Sequence, residues 1–233
     1  MRHSDKRVLV AGGTGALGRA VSLAFLEQGA TVIVTGRRKA EYDGLTTAAG
    51  NDRERLSAVF TDVTDAGAAA KLAGEVVARH GRLDVLVNAV GGYEGGANVW
   101  ETEPESYARM IAANLQTGFA LARAVLPHMI RQGRGWIVGV ASKAAAAPAP
   151  GAAAYAAAKA GAVALYAAIA EEVRPHHVNV NMIAPTIFDT EANRRSMPQA
   201  DFALWPKPAD IARVILFLCS EDARVIHGAV IPV

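Results

Sequence analysis

The sequence has little cysteine and little net charge. Its single cysteine, Cys219, leaves no partner for an internal disulfide and excludes a cysteine-rich metal site. Lysine and arginine number 24 against 22 acidic residues, which gives a formal net charge of +2 without a long basic stripe. We therefore expect neither a nucleic acid nor an anionic membrane as a partner.

Long apolar runs are also scarce. The apolar stretch near the amino terminus is too short for a signal peptide, and we expect no later window to span a membrane. These absences predict a soluble, cytoplasmic protein. With 52% hydrophobic residues among 233, the chain can bury a full core, and we expect a single domain over residues 1–233.

Short runs rich in valine and isoleucine alternate with longer segments in which apolar residues recur at helical spacing. Strands that are apolar on both faces are typical of a parallel sheet covered by helices on both sides. The pattern predicts an α/β fold with a doubly wound parallel sheet of about seven strands. The predicted strands are RVLVAG, TVIVTG, LSAVF, LDVLVNAV, GWIVGVA, HVNVNMIAP and GAVIPV.

Glycine is concentrated where the first predicted strand gives way to a helix. The segment AGGTGALG, residues 11–18, contains Gly12, Gly15 and Gly18. Glycines there let the chain turn tightly and let backbone N–H groups approach a pyrophosphate at the N-terminus of the next helix. The alternative is an ordinary glycine-rich turn. In this context the motif favours a Rossmann-fold domain that binds a dinucleotide.

A tyrosine and a lysine four residues apart, Tyr155 and Lys159, fall on one face of a predicted helix. Such a pair means little by itself, because it is common by chance. An ammonium about 4 Å from a phenol would lower the phenol pKa by on the order of three units at an effective dielectric constant of about 20. Lys159 is therefore expected to bring the pKa of Tyr155 towards neutrality.

The motifs resemble, in their order and spacing, those of the short-chain dehydrogenase/reductase family. The resemblance covers nearly the whole chain and includes the glycine motif, TDV at 61–63, NAVG at 88–91 and APTIFDT at 184–190. It implies an oxidoreductase that transfers hydride between a nicotinamide cofactor and a carbonyl or alcohol group. No metal site is implied.

The same resemblance implies a catalytic tetrad of Asn114, Ser142, Tyr155 and Lys159. Tyr155 would be the general acid or base, and Ser142 would donate to the substrate oxygen as it becomes negative. Lys159 would bind the nicotinamide ribose. Asn114 would hold a local break in its helix and a water that links Lys159 to solvent.

The residues after the second strand indicate which nicotinamide cofactor would bind. An acid at this place would accept hydrogen bonds from the adenosine ribose and repel a 2′-phosphate, but the chain has Gly36 there, followed by Arg37 and Arg38. Guanidinium groups bind phosphate by charge-assisted hydrogen bonds, so NADP(H) is favoured over NAD(H). The alternative is that both arginines are solvated surface charges.

The resemblance implies further cofactor contacts along the chain. Asp62 would contact the adenine, and it is also placed to cap the next helix. Asn88 would border the adenosine ribose, and Thr190 would bind the carboxamide. The implied cofactor residues are Gly12, Thr14, Gly15, Ala16, Leu17, Gly18, Arg37, Arg38, Asp62, Val63, Asn88, Ala89, Tyr155, Lys159, Pro185, Ile187 and Thr190.

Two stretches, 91–98 and 189–205, resemble the dihydropteridine reductases of the same superfamily. Residues 186–206 are predicted to form a substrate-binding loop. The aromatic side chains near these stretches would then form a face for a planar ring, although packing of a flexible loop explains them equally well. They are Tyr93, Phe188 and either Trp100 or Trp205.

The leading hypothesis is an NADP(H)-dependent enzyme that reduces a ketone, aldehyde or 3-oxoacyl compound, or oxidises the corresponding alcohol. The alternatives are reduction of a quinonoid pterin and, in a different class, a non-catalytic NADP(H) sensor. The expected partners are a small carbonyl or alcohol substrate and further copies of the chain, in a homodimer or homotetramer. We expect no role for the histidines and predict a surface position for His80, His128, His176, His177 and His227.

Overall fold

A seven-stranded parallel sheet forms the centre of the protein, whose computed structural model describes residues 3–233. The strand order is β3-β2-β1-β4-β5-β6-β7, and every neighbouring pair runs parallel. The predicted fold class and number of strands are confirmed. The strands are β1 (Arg7–Ala11), β2 (Thr31–Gly36), β3 (Leu56–Phe60), β4 (Val85–Asn88), β5 (Gly135–Val140), β6 (Val178–Ala184) and β7 (Val230–Pro232).

Helices connect the strands and cover both faces of the sheet. A π-helical turn, Ala112–Gln116, separates two of them. Short 3₁₀ turns occupy several of the remaining connections. The α-helices are α1 (Ala16–Glu27), α2 (Lys39–Ala49), α3 (Ala66–His80), α4 (Pro104–Ile111), α5 (Thr117–Gln132), α6 (Ala153–Val173), α7 (Glu191–Ser196) and α8 (Pro208–Leu218).

The core consists of two apolar layers, one on each side of the sheet. Successive side chains of a strand point to opposite faces. In β1, Val8 and Val10 therefore pack with α1, α2 and α8, whereas Leu9 and Ala11 pack with α3, α5 and α6. Because both faces are buried, the strands read as continuous apolar runs in the sequence.

The connections reverse direction at β1, which pairs with β2 on one side and with β4 on the other. Val10 is in register with Val34 of β2 and with Val87 of β4. In a sheet of this kind the carboxyl ends of the strands meet at one edge, and a crevice opens where the strand order reverses. This edge carries the glycine turn and the segments that follow β4, β5 and β6.

The glycine turn brings α1 unusually close to the end of β1. Gly12 has a φ of 73°, in the left-handed region that favours glycine. A Cβ at Gly18, in the first turn of α1, would overlap the carbonyl oxygen of Gly12. Glycine at position 18 is therefore required for this packing of helix against strand.

The helical stretch Ala153–His176, which contains α6, differs from expectation in its hydropathy. It is long and apolar enough to cross a membrane by length and composition, with a mean hydropathy of 1.4 over an 18-residue window. We expected no such window, and the high alanine content explains it. Alanines and Tyr166 of α6 are buried in the core layer against β6. A core helix passes the same test, so composition alone does not indicate a membrane span here.

Four histidines are less exposed than a surface position would require, because His3 is buried and His80, His128 and His227 are half-buried. One nitrogen of the His227 ring lies 2.8 Å from the carbonyl oxygen of Ala170. His3, for which we predicted neither a role nor a position, is 1% exposed and packs edge-on against Phe25 with the ring centroids 5.1 Å apart. Burial, followed by the nearby charge of Lys6, lowers the pKa of His3 to about 4.

We expect His3 to make the fold sensitive to acid. In the unfolded chain His3 takes up a proton at the ordinary histidine pKa of 6.5, whereas in the folded state it stays neutral until the pH falls to about 4. The free energy of unfolding therefore falls as the pH drops from about 6.5 to about 4. The contribution of His3 between pH 7 and pH 4.5 is about 2 kcal/mol. His3→Leu should remove this part of the fall, measured by urea unfolding at the two pH values.

The matched control is His176→Leu, because His176 is exposed. This variant should keep the acid sensitivity of the wild-type protein. An equal fall in stability for His3→Leu and the wild type would show that His3 is not the group responsible.

Candidate functional site

A cavity of about 920 Å³ lies at the carboxyl edge of the sheet. Its walls come from the glycine turn and from the segments that follow β4, β5 and β6, with contributions from α6 and α7. The lining includes residues 15–18, 89–93, 140–144 and 185–188, together with Asn114, Tyr155, Lys159 and Thr190. We call this cavity the cleft.

All four residues of the predicted tetrad line the cleft. Tyr155 and Lys159 lie one turn apart on α6, as their spacing predicts. Ser142 follows β5, and its hydroxyl accepts a hydrogen bond of 3.2 Å from the backbone N–H of Ala144. Asn114 comes from the π-helical turn between α4 and α5. The fold thus brings together residues from three separate segments of the chain.

The Asn114 side chain links the segment after β4 to the π-helical turn by hydrogen bonds. Its Nδ2 donates to the carbonyl oxygens of Gly92 at 3.0 Å and of Met110 at 3.1 Å. Its Oδ1 accepts a hydrogen bond from the backbone N–H of Gly92 at 3.2 Å. A break in the helix at Asn114, which the resemblance implied, is present. Asn114 therefore fixes one wall of the cleft by bonding to both groups of the Gly92 backbone.

The Lys159 ammonium is buried and bonded to a backbone carbonyl. The residue is 4% exposed, and its Nζ donates to the carbonyl oxygen of Val140 at 2.7 Å. Among residues 3–233, no carboxylate forms an ion pair with it. Burial without a compensating negative charge lowers the pKa of Lys159 to about 8.

Tyr155 has its pKa shifted in the direction opposite to the one we expected. Its ring packs edge-on against Tyr93, with the centroids 5.1 Å apart. Burial raises the pKa of Tyr155, and the Ser142 hydroxyl offsets part of this effect. The Nζ of Lys159 is 5.8 Å from the centroid of the Tyr155 ring and is directed to Val140. The expected lowering of the pKa by Lys159 is therefore wrong for this structure.

The N-terminus of α1 has the features that an anion-binding site requires. Gly15 is its N-cap, and within residues 3–233 no side chain caps the helix. The N–H groups of the first turn thus retain the capacity to bind a phosphate, which the positive end of the helix dipole attracts. Residues 15–18 line the cleft, so a pyrophosphate fits here without displacing a side chain from the cap.

An unexpected carboxylate lies beside the predicted 2′-phosphate site. Glu41, in the first turn of α2, forms an ion pair with Arg38 and accepts a hydrogen bond of 3.1 Å from Oγ1 of Thr14. Arg37 is exposed. Sequence reasoning missed Glu41. The available signal was its place three residues after Arg38 in the helix that follows the second strand.

The side chains of two predicted cofactor residues form hydrogen bonds within the protein. Asn88 is buried, donates to the Tyr166 hydroxyl at 3.4 Å and accepts from the backbone N–H of Val90 at 3.2 Å. Asp62 accepts hydrogen bonds from the N–H and hydroxyl of Thr64 and does not cap α3. The N-cap of α3 is instead Asp65. The predicted residues outside the lining of the cleft are Gly12, Thr14, Arg37, Arg38, Asp62, Val63 and Asn88.

The four aromatic residues suggested as a face for a planar ring do not come together. Tyr93 and Phe188 line the cleft. Trp100 is 79% exposed, and Trp205 packs on Phe202 with the ring centroids 5.0 Å apart. Neither tryptophan lines the cleft. The two stretches that resemble dihydropteridine reductases therefore contribute one aromatic residue to its lining, Tyr93, because Phe188 lies just before the second stretch.

Comparison with known proteins identifies the family. The model of the short chain dehydrogenase family matches residues 6–201. The chain belongs to the short-chain dehydrogenases. It is accordingly an NAD(P)-dependent oxidoreductase that acts on alcohol or carbonyl groups. Members of the family act on small molecules and are typically oligomers.

Similar proteins cover almost the full length of this dehydrogenase. The 3-oxoacyl-(acyl-carrier-protein) reductase FabG of Thermotoga maritima is 31% identical over 239 residues, 99% of this chain and 97% of that protein. The meso-2,3-butanediol dehydrogenase of Serratia marcescens is 31% identical over 241 residues, 100% and 94% of the two chains. The structure of ElxO with NADP bound is 27% identical with a TM-score of 0.91, covering 97% of this chain and 96% of that one.

We expect Lys159 to titrate far below an ordinary lysine. Burial places its pKa at about 8 in the dehydrogenase without cofactor, against 10.5 in the unfolded chain. The unfolded state therefore binds more protons between these values, and the free energy of unfolding rises with pH from about 8 to 10.5. A ¹³C NMR titration of ε-labelled lysine, assigned with Lys159→Met, measures the pKa directly. A midpoint near 10.5 would contradict the burial argument.

Proposed function

We propose that this dehydrogenase uses NADP(H) to interconvert a ketone, aldehyde or 3-oxoacyl compound and its alcohol, with Tyr155 as general acid and base. One observation carries the proposal. Tyr155 and Ser142 line the same cleft as the buried Lys159 and the helix break at Asn114. A proton donor, a second hydrogen-bond donor and a buried cation around one cavity are the groups that carbonyl reduction needs.

The protonation of Tyr155 suits reduction. Because burial raises its pKa, the phenol keeps its proton at neutral pH and can donate it to a carbonyl oxygen. The hydroxyl of Ser142 donates to the same oxygen and stabilises the negative charge that develops there. The bound cofactor supplies the hydride. The ammonium of Lys159, which is bonded to the carbonyl oxygen of Val140, offers its remaining hydrogen bonds to the nicotinamide ribose.

Three parts of the chain would hold the cofactor. The N–H groups of residues 16–18 bind the pyrophosphate at the N-terminus of α1, since the N–H of Gly15 is bonded to the carbonyl oxygen of Gly12. Pro185, Ile187 and Thr190, which line the cleft after β6, contact the nicotinamide end. Arg37 and Arg38 bind the 2′-phosphate, which favours NADP(H) over NAD(H). The similarity to ElxO, whose structure has NADP bound, supports this choice.

The walls of the cleft support a substrate with an apolar substituent next to its carbonyl. Small side chains after β5 and apolar side chains of the loop 186–206 form the walls on the side of Tyr155. This loop is the proposed substrate-binding segment. The similarity to FabG agrees with a 3-oxoacyl chain, and the similarity to the butanediol dehydrogenase agrees with a small hydroxyketone. The residues concerned are Ala144, Ala147, Ala149, Ala152, Ile187, Phe188 and Met197.

The central test of the proposed function is the effect of the Tyr155 hydroxyl on turnover. We expect NADPH oxidation with at least one member of a panel of 3-oxoacyl thioesters, diketones, aldehydes and a quinonoid dihydropterin. Tyr155→Phe should lower kcat by at least about 100-fold, because it removes the general acid. It should leave the Kd of NADPH within about threefold of the wild-type value, since backbone groups and arginines provide most cofactor contacts. Absorbance assays of NADPH oxidation measure kcat, and titration calorimetry measures the Kd of NADPH.

Tyr107→Phe is the matched control, because Tyr107 lies on α4, is 52% exposed and does not line the cleft. It should keep the wild-type kcat. An unchanged kcat in Tyr155→Phe would refute the role of Tyr155. Tight binding of NADPH without turnover of any carbonyl would instead indicate a sensor, and turnover of the dihydropterin alone would indicate a pterin reductase.

Arg37 tests the choice of cofactor. Arg37→Ala should raise the Kd of NADPH by about tenfold or more, since it removes a charge-assisted contact with the 2′-phosphate, and should leave the Kd of NADH unchanged. Arg53→Ala is the control, because Arg53 is exposed and precedes β3 at the opposite edge of the sheet. Equal losses of NADPH and NADH affinity in Arg37→Ala would rule out a specific phosphate contact.

A further inference from the structure

We propose that Glu41 determines how strongly this dehydrogenase discriminates between NADP(H) and NAD(H), because its carboxylate competes with the 2′-phosphate for Arg38 and Thr14. The inference rests on the proposed position of the adenosine ribose beside the end of β2. It adds to that proposal a carboxylate outside the motifs on which the cofactor prediction rests, and it assigns this carboxylate the opposite effect to that of the arginines.

At the usual position for a specificity-determining acid this chain has glycine, and the Thr14 side chain lies against it. A Cβ at Gly36 would lie 2.8 Å from Oγ1 and 2.9 Å from Cγ2 of Thr14. Contacts below 3.0 Å require the neighbouring atoms to move. The Thr14 side chain therefore fills the space into which a side chain at the end of β2 would extend.

Glu41 supplies a carboxylate to the same place from a different element. Its Oε2 accepts the hydrogen bond of 3.1 Å from Oγ1 of Thr14, the atom closest to the missing Cβ of Gly36. Its Oε1 is paired with Arg38. The Arg38 and Thr14 contacts, together with the charge of Arg37, hold the pKa of Glu41 below its usual range. The carboxylate is therefore ionised at neutral pH.

The charges around this position do not favour the phosphate as strongly as the sequence suggests. Arg37 and Arg38 contribute two positive charges, and Glu41 cancels one of them. A phosphate monoester carries about −1.5 to −2 charges at pH 7, so it is repelled by Glu41 and has to share the guanidinium of Arg38 with it. A ribose hydroxyl is neutral and can donate to the carboxylate. Glu41 thus weakens NADP(H) binding and favours NAD(H).

A neighbouring ion pair shows why Glu41 differs from an ordinary surface acid. Asp43 on the same helix pairs with Lys39 at 2.7 Å, with side chains 55% and 76% exposed. This pair stays within α2. Glu41 is less exposed, at 32%, and it also contacts Thr14 in the glycine turn. Asp43→Asn therefore provides a matched control that removes the same charge from the same helix without touching that turn.

The experiment measures cofactor binding in the absence of turnover. The Kd values of NADPH and NADH are determined by titration calorimetry for the wild type, Glu41→Gln and Asp43→Asn. We expect Glu41→Gln to lower the Kd of NADPH by at least about tenfold, the effect of freeing one charged contact, and to leave the Kd of NADH unchanged or higher. Asp43→Asn should change the two Kd values by equal factors. The gain in NADPH affinity should shrink as salt is added.

The outcomes separate this inference from the proposed function. An unchanged ratio of the two Kd values in Glu41→Gln, or the same change in Asp43→Asn, would overturn the role of Glu41 while leaving the dehydrogenase assignment intact. Failure of the wild type to bind either cofactor would overturn the proposed function first. Glu41→Ala also removes the carboxylate, and it should shift the ratio of the two Kd values in the same direction as Glu41→Gln. A shift in the other direction also refutes the inference.

Discussion

The parallel pairing of all seven strands is the constraint on which the site depends. In a parallel sheet every connection must cross from one edge to the other, so the segments that follow the strands gather at the carboxyl edge. The reversal of strand order at β1 opens a crevice there between the glycine turn and the segment after β4. Residues more than one hundred positions apart, such as Gly15 and Tyr155, thereby line one cavity.

The electrostatics of that cavity follow from burial more than from ion pairing. Lys159 is buried and bonded to a single backbone carbonyl, that of Val140, so its charge is costly and its pKa falls. Tyr155 is affected in the opposite sense, because burial penalises the phenolate. Both shifts favour the neutral form of the side chain. At neutral pH Tyr155 is therefore neutral, whereas Lys159, with a pKa of about 8, remains mostly protonated.

Much of the fold could be predicted from the sequence because its signals are local. Continuous apolar strands, helical periodicity and the glycine turn each depend on residues close in the chain, and the family resemblance of the motifs pointed to four residues that line one cleft. The contacts that sequence reasoning missed depend on side-chain direction. Asp65 caps α3 where Asp62 was considered, and Lys159 bonds to Val140 at a distance from Tyr155 that spacing on a helix cannot specify. Glu41 contacts Thr14 across 27 positions, and its local spacing from Arg38 does not indicate this contact.

The contact between Thr14 and Gly36 also limits the mutational routes open to this chain. A carboxylate at the end of β2 would require the Thr14 side chain to move, because a Cβ at Gly36 would lie 2.8 Å from its Oγ1. Glu41 lies in the first turn of α2 with its side chain 32% exposed, so a substitution there brings no new side chain against the strand. A change of cofactor in the descendants of this protein is therefore more accessible through α2 than through the strand.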